Sequence, residues 1–275
     1  MNQQTSPAEQ HYTREHLFEQ IMASLKEQGI NTPTRQDFSG VDEFHVRGSE
    51  VSLELAKEAG IKSSDSVLDI GCGIGGPSRM LAGEFGCHVT GIDITAEFIR
   101  TAQEISKVVG LDHLTNYIQA DATALPFSTN SFDIAWTQHV QMNIQVKKQF
   151  YMEIARVLKP GGKFIYYDIL KGNDEPLLFP VPWSDDGSIS FLINPDELEH
   201  LLMNVGFEKI STKDQTAGGI EFFEKMIEKS AKDGPPKTSL HLLMGSSTKE
   251  RMQNLLDNFK TGRAVIQSGI YTSIR

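Results

Sequence analysis

Short apolar runs alternate along this chain with longer stretches in which apolar residues recur at helical spacing. The runs rich in Val, Ile, Leu and aromatic residues predict five strands, at 67–70, 88–93, 116–121, 132–137 and 163–169. Apolar residues spaced by three and four predict helices at 49–60, 77–85, 96–109, 146–158 and 195–205. This alternation is typical of a parallel sheet with helices on both faces.

The N-terminal part of the chain differs from this alternating middle. Residues 11–28 have the amphipathic spacing of a helix, which would either pack on the core or cap a substrate cleft. Residues 30–49 show no regular pattern and predict a lid. We therefore divide the chain into an N-terminal helical cap and lid, residues 1–48, and a main domain, residues 49–275.

A turn-rich insertion, 171–193, follows the fifth strand. Its apolar side chains need a surface to pack on, and they include Leu177, Leu178, Phe179, Val181 and Trp183. We predict a substrate lid, with an ordinary packed loop as the alternative. A candidate strand at 207–213, amphipathic helices at 219–232 and 247–261, and an alternating final stretch at 263–274 complete the chain.

Composition narrows the range of partners. The 275 residues carry a net charge of −10 and contain no basic run longer than Lys147-Lys148, which argues against a nucleic-acid partner. The two cysteines form no C-x-x-C pair, so we do not expect a metal site. Two cysteines in a chain of this size are typical of reduced thiols, and we expect a cytoplasmic protein. No apolar stretch is long enough to predict a membrane span, and the first residues do not resemble a signal peptide.

The strongest local signal is a glycine turn after the first strand. Gly71, Gly73 and Gly76 form G-x-G-x-x-G, in which glycine permits a tight turn and a close approach of the backbone to a ligand. The pattern fits a nucleotide-type cofactor, or a tight turn without any ligand. Two later strands end in acids, Asp93 and Asp121, which favours the cofactor. Asp93 has a competing explanation as a helix-capping residue.

Residues from about 66 to 170 resemble class I S-adenosylmethionine (SAM) dependent methyltransferases. Four motifs match that family in order: Leu68-Asp-Ile-Gly-Cys-Gly-Ile-Gly, Gly91-Ile-Asp93, Asp121-Ala-Thr-Ala-Leu-Pro-Phe and Leu158-Lys-Pro-Gly-Gly162. The chain is most similar to small-molecule enzymes of the sarcosine/dimethylglycine and tocopherol type. A nicotinamide dehydrogenase also uses the glycine turn, but Asp69 and the Asp121-Ala122 pair follow the methyltransferase pattern.

The resemblance implies an α/β fold: a Rossmann-like, seven-stranded, mostly parallel sheet with helices on both faces and an antiparallel last strand. It also implies SAM as cofactor, with S-adenosylhomocysteine as product. Gly71 and Gly73 would lie under the methionine and ribose, while Asp69 would support the turn through the glycine backbone. The remaining cofactor contacts would come from Asp93 (ribose hydroxyls), Ile94 (adenine face), Asp121 and Ala122 (adenine amine) and Gln138 (methionyl part).

Polar and aromatic residues near the ends of strands four and five are candidates for acceptor chemistry. His139 is the predicted general base, with a structural histidine as the alternative, and His45 is a weaker rival. His45, Asn143, Tyr167 and Trp183 are the predicted acceptor-binding residues, the aromatic ones through cation–π contact with an amine.

The sequence thus predicts methyl transfer from SAM to a nitrogen or oxygen of a small-molecule acceptor, without nucleic acid. Two alternatives stay open: a SAM-binding enzyme that catalyses cyclisation or isomerisation, and a SAM-binding regulatory module. The N-terminal helix would serve as a cap or as the contact surface of a homodimer.

Overall fold

The computed structural model describes residues 7–12, 14–233 and 238–274. Within these ranges, seven strands form one sheet in the order β3-β2-β1-β4-β5-β7-β6. The strands are β1 Ser66–Ile70, β2 His88–Asp93, β3 Thr115–Gln119, β4 Phe132–Gln138, β5 Leu158–Lys171, β6 Phe207–Asp214 and β7 Ala264–Ser273. Strand β7 runs antiparallel to both of its neighbours, β5 and β6, while the pairs among β1 to β5 are parallel. The predicted fold class is therefore confirmed.

Eleven α-helices of the described residues surround the sheet. They are α1 Pro7–Tyr12, α2 Leu17–Glu27, α3 Ser39–Asp42, α4 Gly48–Ala59, α5 Gly76–Phe85, α6 Ala96–Val108, α7 Lys147–Val157, α8 Pro195–Asn204, α9 Thr216–Asp233, α10 His241–Met244 and α11 Thr248–Lys260. The helices predicted between the strands are all present, and none of the described helices is long and apolar enough to cross a membrane.

Strand order reverses between β1 and β4, which lie side by side at the centre of the sheet. In open α/β sheets, ligands bind beyond the carboxyl ends of the strands at such a switch point. The glycine turn leaves β1 at this point, and His139 directly follows β4. Topology therefore brings together the motifs that the sequence placed about seventy residues apart.

The N-terminal segment differs from its prediction in three details. The predicted helix at 11–28 is two helices, because Glu97 accepts a hydrogen bond (2.8 Å) from the backbone N–H of Leu17 and α2 begins there. The predicted irregular segment at 30–49 contains a 3₁₀ turn, Arg35–Phe38, followed by α3. Helix α4 begins at Gly48, one residue before its predicted start, after a left-handed Arg47 (φ 68°). The first six residues of the predicted cap lie outside the described residues.

The insertion after β5 is a packed wall of the molecule. Val181 and Trp183 are buried, and the Trp183 indole N–H donates to Ser190 Oγ (2.9 Å). Arg251 of α11 donates to the carbonyl of Val181 (2.6 Å), and Asn258 donates to that of Leu178 (3.0 Å). Of the apolar side chains predicted to need a packing surface, Val181 and Trp183 are thus buried, whereas Leu178 is 38% exposed.

Candidate active site

The turn after β1 is held by the neighbouring strand. The backbone N–H groups of Gly71 and Cys72 both donate to the carbonyl of Ile92, at 2.8 and 2.9 Å. Gly71 has φ 72°, and a Cβ there would lie 2.4 Å from Val140 Cγ2. Gly73 has φ 54°, but no atom lies within 4 Å of the position of its Cβ. Gly71 is therefore required by packing, whereas Gly73 leaves open space over its backbone, which suits a ligand cradle.

The third glycine of the motif faces helix α3. A Cβ on Gly76 would lie 2.1 Å from the carbonyl oxygen of Asp42 in α3. Three residues later, the buried guanidinium of Arg79 donates to Asp42 Oδ2 (2.7 Å). Backbone contact and buried ion pair together fix α3 to the start of α5.

Asp93, at the end of β2, is bonded to the two turns beside it. Its Oδ1 accepts from the N–H of Thr95 (2.8 Å), within the turn that precedes α6, and its Oδ2 accepts from Gly73 N–H (3.1 Å). Thr95, and not Asp93, is the N-cap residue of α6. Burial raises the pKa of Asp93, and these backbone hydrogen bonds oppose the rise. The carboxyl also lines the cavity, where its oxygens can accept further hydrogen bonds from a ligand's hydroxyl groups.

The third acid lies beyond the end of β3. Asp121 is exposed, and the N–H and hydroxyl of Thr123 both donate to its Oδ1, at 2.8 and 2.7 Å. These bonds hold the turn and use one carboxylate oxygen only. Ala122 and Ile94 lie half-buried along the same cavity.

Asp69 supports the turn from below, through a partner that the sequence did not indicate. Its Oδ2 accepts from the hydroxyl of Ser78 (2.6 Å) in α5, and burial raises the pKa of Asp69 to about 7. The expected bond to the glycine backbone is thus replaced by a bond to the following helix, which fixes the start of α5 relative to β1.

The amide of Gln138 belongs to a chain of hydrogen bonds inside the protein. The indole N–H of Trp136 donates to Gln138 Oε1 (3.0 Å), and Gln138 Nε2 donates to Ser52 Oγ (3.0 Å). The Ser52 hydroxyl also lies 3.0 Å from His45 Nε2. Gln138 lines the cavity, but its polar atoms bind α4 and β4.

His139 occupies a strained position at the mouth of β4. It has φ 52°, uncommon for a residue with a side chain, and its backbone N–H donates to the carbonyl of Tyr167 (2.9 Å). Its ring stacks on Tyr167 at 5.4 Å between centroids. Burial, with a smaller contribution from His45, holds the pKa of His139 well below its usual range. The imidazole is therefore neutral, and among the described residues its buried Nε2 has no hydrogen-bond partner.

One ring nitrogen of His45, Nε2, is already hydrogen-bonded within the protein. Its Nε2–H donates to the carbonyl of Gly48 (2.9 Å), and burial lowers the pKa of His45 to about 4. Glu43, which sequence reasoning missed, places Oε2 3.5 Å from the same nitrogen. Burial raises the pKa of Glu43 to about 8, so this cavity-lining carboxyl is largely protonated at neutral pH. The only available signal was an acid two residues before a histidine within a predicted lid.

Asn143 joins three parts of the chain. Its Nδ2 donates to the carbonyls of Trp183 (3.0 Å) and Ile189 (2.9 Å), and its Oδ1 accepts from the hydroxyl of Tyr12 (3.0 Å). Its hydrogen-bonding groups are therefore engaged in holding the wall 181–191 and α1 over the sheet.

One cavity of about 2240 Å³ unites most of the predicted site. It is lined by the predicted residues Gly71, Gly73, Asp93, Ile94, Asp121, Ala122, Gln138, His139, His45, Asn143 and Trp183. Tyr167 is fully buried against His139 and is not among the described residues that line the cavity. The described residues also contain no group of three or more His, Cys, Asp and Glu side chains arranged to hold a metal ion.

Comparisons with known proteins agree with this geometry. Residues 68–166 match a family model described as a methyltransferase domain. The sarcosine/dimethylglycine N-methyltransferase of Halorhodospira halochloris is 30% identical over 150 residues, which cover 54% of this chain and 54% of the relative. The matched segments span between 30% and 54% of the length of the first curated relatives.

Solved structures share the fold at low sequence identity. Phosphoethanolamine N-methyltransferase 2 of Haemonchus contortus, solved with SAM, has a TM-score of 0.70 at 21% identity and covers 93% of this chain and 60% of its own. The [4+2]-cyclase SpnF has a TM-score of 0.66 at 20% identity, covering 94% of both chains.

The sheet order and the strand-end site define a class I SAM-dependent methyltransferase fold. Residues 68–166 match the methyltransferase domain model in the part of the chain that carries the four motifs.

Proposed function

We propose that this protein transfers a methyl group from SAM to a nitrogen or oxygen of a small-molecule acceptor. One observation carries the proposal: a single cavity brings together the open glycine backbone at Gly73, the strand-end acids Asp93 and Asp121, and the neutral His139. SAM carries a methyl group already activated on a sulfonium sulfur, so the protein's task is to hold donor and acceptor in line.

The cofactor would be held by the first half of the sheet. The backbone at Gly73 can approach it closely, and the Asp93 carboxylate would accept hydrogen bonds from both ribose hydroxyls. Ile94 would cover one face of the adenine, while Asp121 and the backbone of Ala122 would receive its amine. Gln138 would contribute to the wall at the methionyl part, since its amide is already bonded to Trp136 and Ser52.

His139 is the group we assign to proton removal from the acceptor. Its Nε2 lacks a partner among the described residues, and a neutral ring can take up a proton there. The lowered pKa keeps the ring neutral and makes it a weaker base than free imidazole. His45 is the weaker choice because its Nε2–H is bonded to Gly48. Asn143, Tyr167 and Trp183 would then shape the acceptor side, chiefly by positioning other groups.

The N-terminal segment would act as a cap. Leu17, Ile21 and Leu25 of α2 are fully buried within the chain, so this apolar face is already covered and does not require a second copy. We also propose a cytoplasmic setting, since Cys72 and Cys87 are both buried free thiols.

Cyclisation is the second candidate function. The likeness to the [4+2]-cyclase SpnF spans nearly all of this chain, and the cavity is large. The two functions differ in stoichiometry: methyl transfer forms one S-adenosylhomocysteine for each product, whereas a cyclisation forms none.

Incubation of the full chain with SAM and a panel of amines and phenols tests the proposal. We expect S-adenosylhomocysteine to form in equal amount with a methylated product, measured by liquid chromatography and mass spectrometry. Absence of S-adenosylhomocysteine binding in calorimetry would overturn the proposal. Product formation without S-adenosylhomocysteine would replace it with the second candidate.

A further inference from the structure

The cavity is larger than one ligand requires. Its volume is about 2240 Å³, whereas pockets for small ligands and cofactors measure roughly 300–1,000 Å³. The glycine turn and the strand-end acids line one part of it. The second part is lined by helices α9, α10 and α11 and by the wall 181–191. We call this second part the apolar lobe, defined by Trp183, Phe191, Phe222, Met226, Leu242 and Met252.

Helix α9 presents one continuous face to the lobe. Phe222, Met226 and Ser230 recur at intervals of four and line the cavity. The neighbouring Phe223 is buried and lies 6.2 Å from the ring of Phe259 in α11, which anchors the helix. Phe222 and Met226 are partly buried, so each keeps some apolar surface accessible.

Helices α10 and α11 complete the lobe with the same chemistry. Leu242 and Met252 are partly buried apolar side chains that line the cavity. Methionine is flexible and adapts to the shape of an apolar ligand. When another apolar surface covers these accessible side chains, the free energy of the system falls.

Most charged side chains that line the cavity lie outside α9, α10 and α11. They include Asp93, Asp121, Glu43 and Arg47, and Arg47 also borders the start of α9, because its Nη1 donates to Gln215 Oε1 (3.2 Å). Among the described lining residues of α9, α10 and α11, Lys249 is the only Asp, Glu, Lys or Arg. The lobe therefore offers almost nothing to a charged or zwitterionic acceptor and much to a hydrocarbon.

We propose that the acceptor is a molecule with a large hydrocarbon body, which lies in the apolar lobe, and with one nucleophilic oxygen or nitrogen directed toward His139. This inference rests on the proposed methyl transfer and names its substrate class. It favours lipid-like acceptors over small polar amines.

A series of para-substituted phenols tests this inference. Phenol, 4-butylphenol and 4-octylphenol share one nucleophile and differ only in hydrocarbon length. Each methylene moved into an apolar site tightens binding by up to roughly fourfold. We expect 4-octylphenol to bind the full chain, in the presence of S-adenosylhomocysteine, at least a hundredfold more tightly than phenol does. The measurement is isothermal titration below the micelle concentration.

Substitutions locate the binding. Met226→Glu places a charge in the lobe and is expected to weaken binding of 4-octylphenol at least tenfold, with S-adenosylhomocysteine binding unchanged within twofold. Met226→Gln, a milder change, covers the case in which the charged variant does not fold. Met203→Glu is the matched control, because Met203 is 55% exposed on α8, away from the cavity.

The outcomes separate the two proposals. Equal affinity across the series, or tight binding that survives both Met226 variants, overturns the apolar lobe as acceptor site while leaving methyl transfer intact. Length-dependent binding that Met226 controls supports the lobe. Absence of S-adenosylhomocysteine binding to the wild type overturns the proposed function. Titration of the phenols without S-adenosylhomocysteine then still tests whether the lobe binds them.

Discussion

The carboxylate of Asp93 and the backbone N–H of Gly73 are joined by a hydrogen bond of 3.1 Å, which ties the end of β2 to the turn after β1. One side chain thus shapes the turn and lines the cavity beside it. The two strands are neighbours in the sheet, so this contact depends on their register, in which Ile70 pairs with Ile92.

Asp93→Ala is expected to weaken binding of S-adenosylhomocysteine about a hundredfold or more. The change removes the acceptors for two ribose hydroxyls, each charge-assisted bond contributing about 1.5–3 kcal/mol, and it releases Gly73. Isothermal titration measures the affinity. Asp112→Ala, a substitution at an exposed aspartate, is the matched control and should bind as the wild type does. Unchanged affinity in Asp93→Ala would remove Asp93 from the cofactor site.

His139→Asn is expected to lower kcat by about 10²–10⁴-fold, the usual contribution of a general base, and to leave S-adenosylhomocysteine binding intact. Asparagine tolerates the left-handed backbone at this position, so loss of activity would not come from the φ of 52°. The rate at which methylated product forms in a single turnover measures the effect. His113→Asn, at an exposed position, serves as the control. A kcat within threefold of the wild type would make His139 a structural histidine.

Glu43→Gln is expected to change stability in a pH-dependent way. Burial raises the pKa of Glu43 to about 8 from its ordinary 4.5, so the folded protein retains a proton that the unfolded chain releases. The stability contributed by Glu43 is therefore complete below pH 4.5 and is lost as the pH rises to 8. Glutamine mimics the protonated form and avoids that loss.

The Glu43→Gln variant should thus match the wild type at pH 5 and exceed its free energy of unfolding by about 2–4 kcal/mol at pH 8. Urea denaturation at pH 5, 6.5 and 8 measures the difference. Glu228→Gln, at an exposed site on α9, should show no such trend. A constant difference at all three pH values would contradict the prediction.

Arg79→Met is expected to destabilise the fold by about 3–5 kcal/mol, because it leaves the buried carboxyl of Asp42 without its partner. Arg100→Met is the comparison at the surface. Arg100 is 40% exposed and pairs with Glu19 and Glu97, and its loss should cost about 1 kcal/mol or less. Denaturant midpoints of the two variants give the contrast, and similar losses would mean that the buried pair contributes no more than a surface one.

Asn143→Ala is expected to lower the free energy of unfolding by about 2–4 kcal/mol, since it breaks three hydrogen bonds and leaves their partners unsatisfied. Tyr12→Phe removes one of them and should cost about 1 kcal/mol. The double variant should be hardly less stable than Asn143→Ala alone. Asn204→Ala, at an exposed position of α8, is the control. Strictly additive losses would show that Tyr12 and Asn143 act independently.

Sequence patterns predicted the sheet well because its central strands β1, β4 and β5 contain local apolar runs, although β6 is mostly polar. Strand β2 has the predicted bounds, and α8 begins at Pro195 as predicted, after a capping box formed by Asn194 and Glu197. The four family motifs were recognisable for the same reason, since each lies within a single turn or strand end. The split of the N-terminal helix was not recognisable, because Glu97, which caps α2, lies 80 residues away.

Roles of single side chains in the site were harder to predict than its position. The motif placed Gln138 at the strand end, but the partners that occupy its amide come from β4 and α4. Likewise, Asn143 is near the cavity as its position suggests, yet its hydrogen bonds reach α1 and the wall 181–191. Such long-range partners leave no periodic signal in a single sequence.

The contact between Gly76 and Asp42 bears on how this protein can be recombined with its relatives. Gly76, the third glycine of the motif, lies at the contact between α3 and α5. Even a methyl group there would lie 2.1 Å from the carbonyl oxygen of Asp42. In a chimera with a foreign N-terminal segment, the backbone of that segment must therefore have the same shape where it contacts Gly76. It must also bring a counter-ion for Arg79, since the buried guanidinium would otherwise keep only its bond to the carbonyl of Ala102 (3.4 Å). The N-terminal segment and the start of α5 therefore have to be exchanged together.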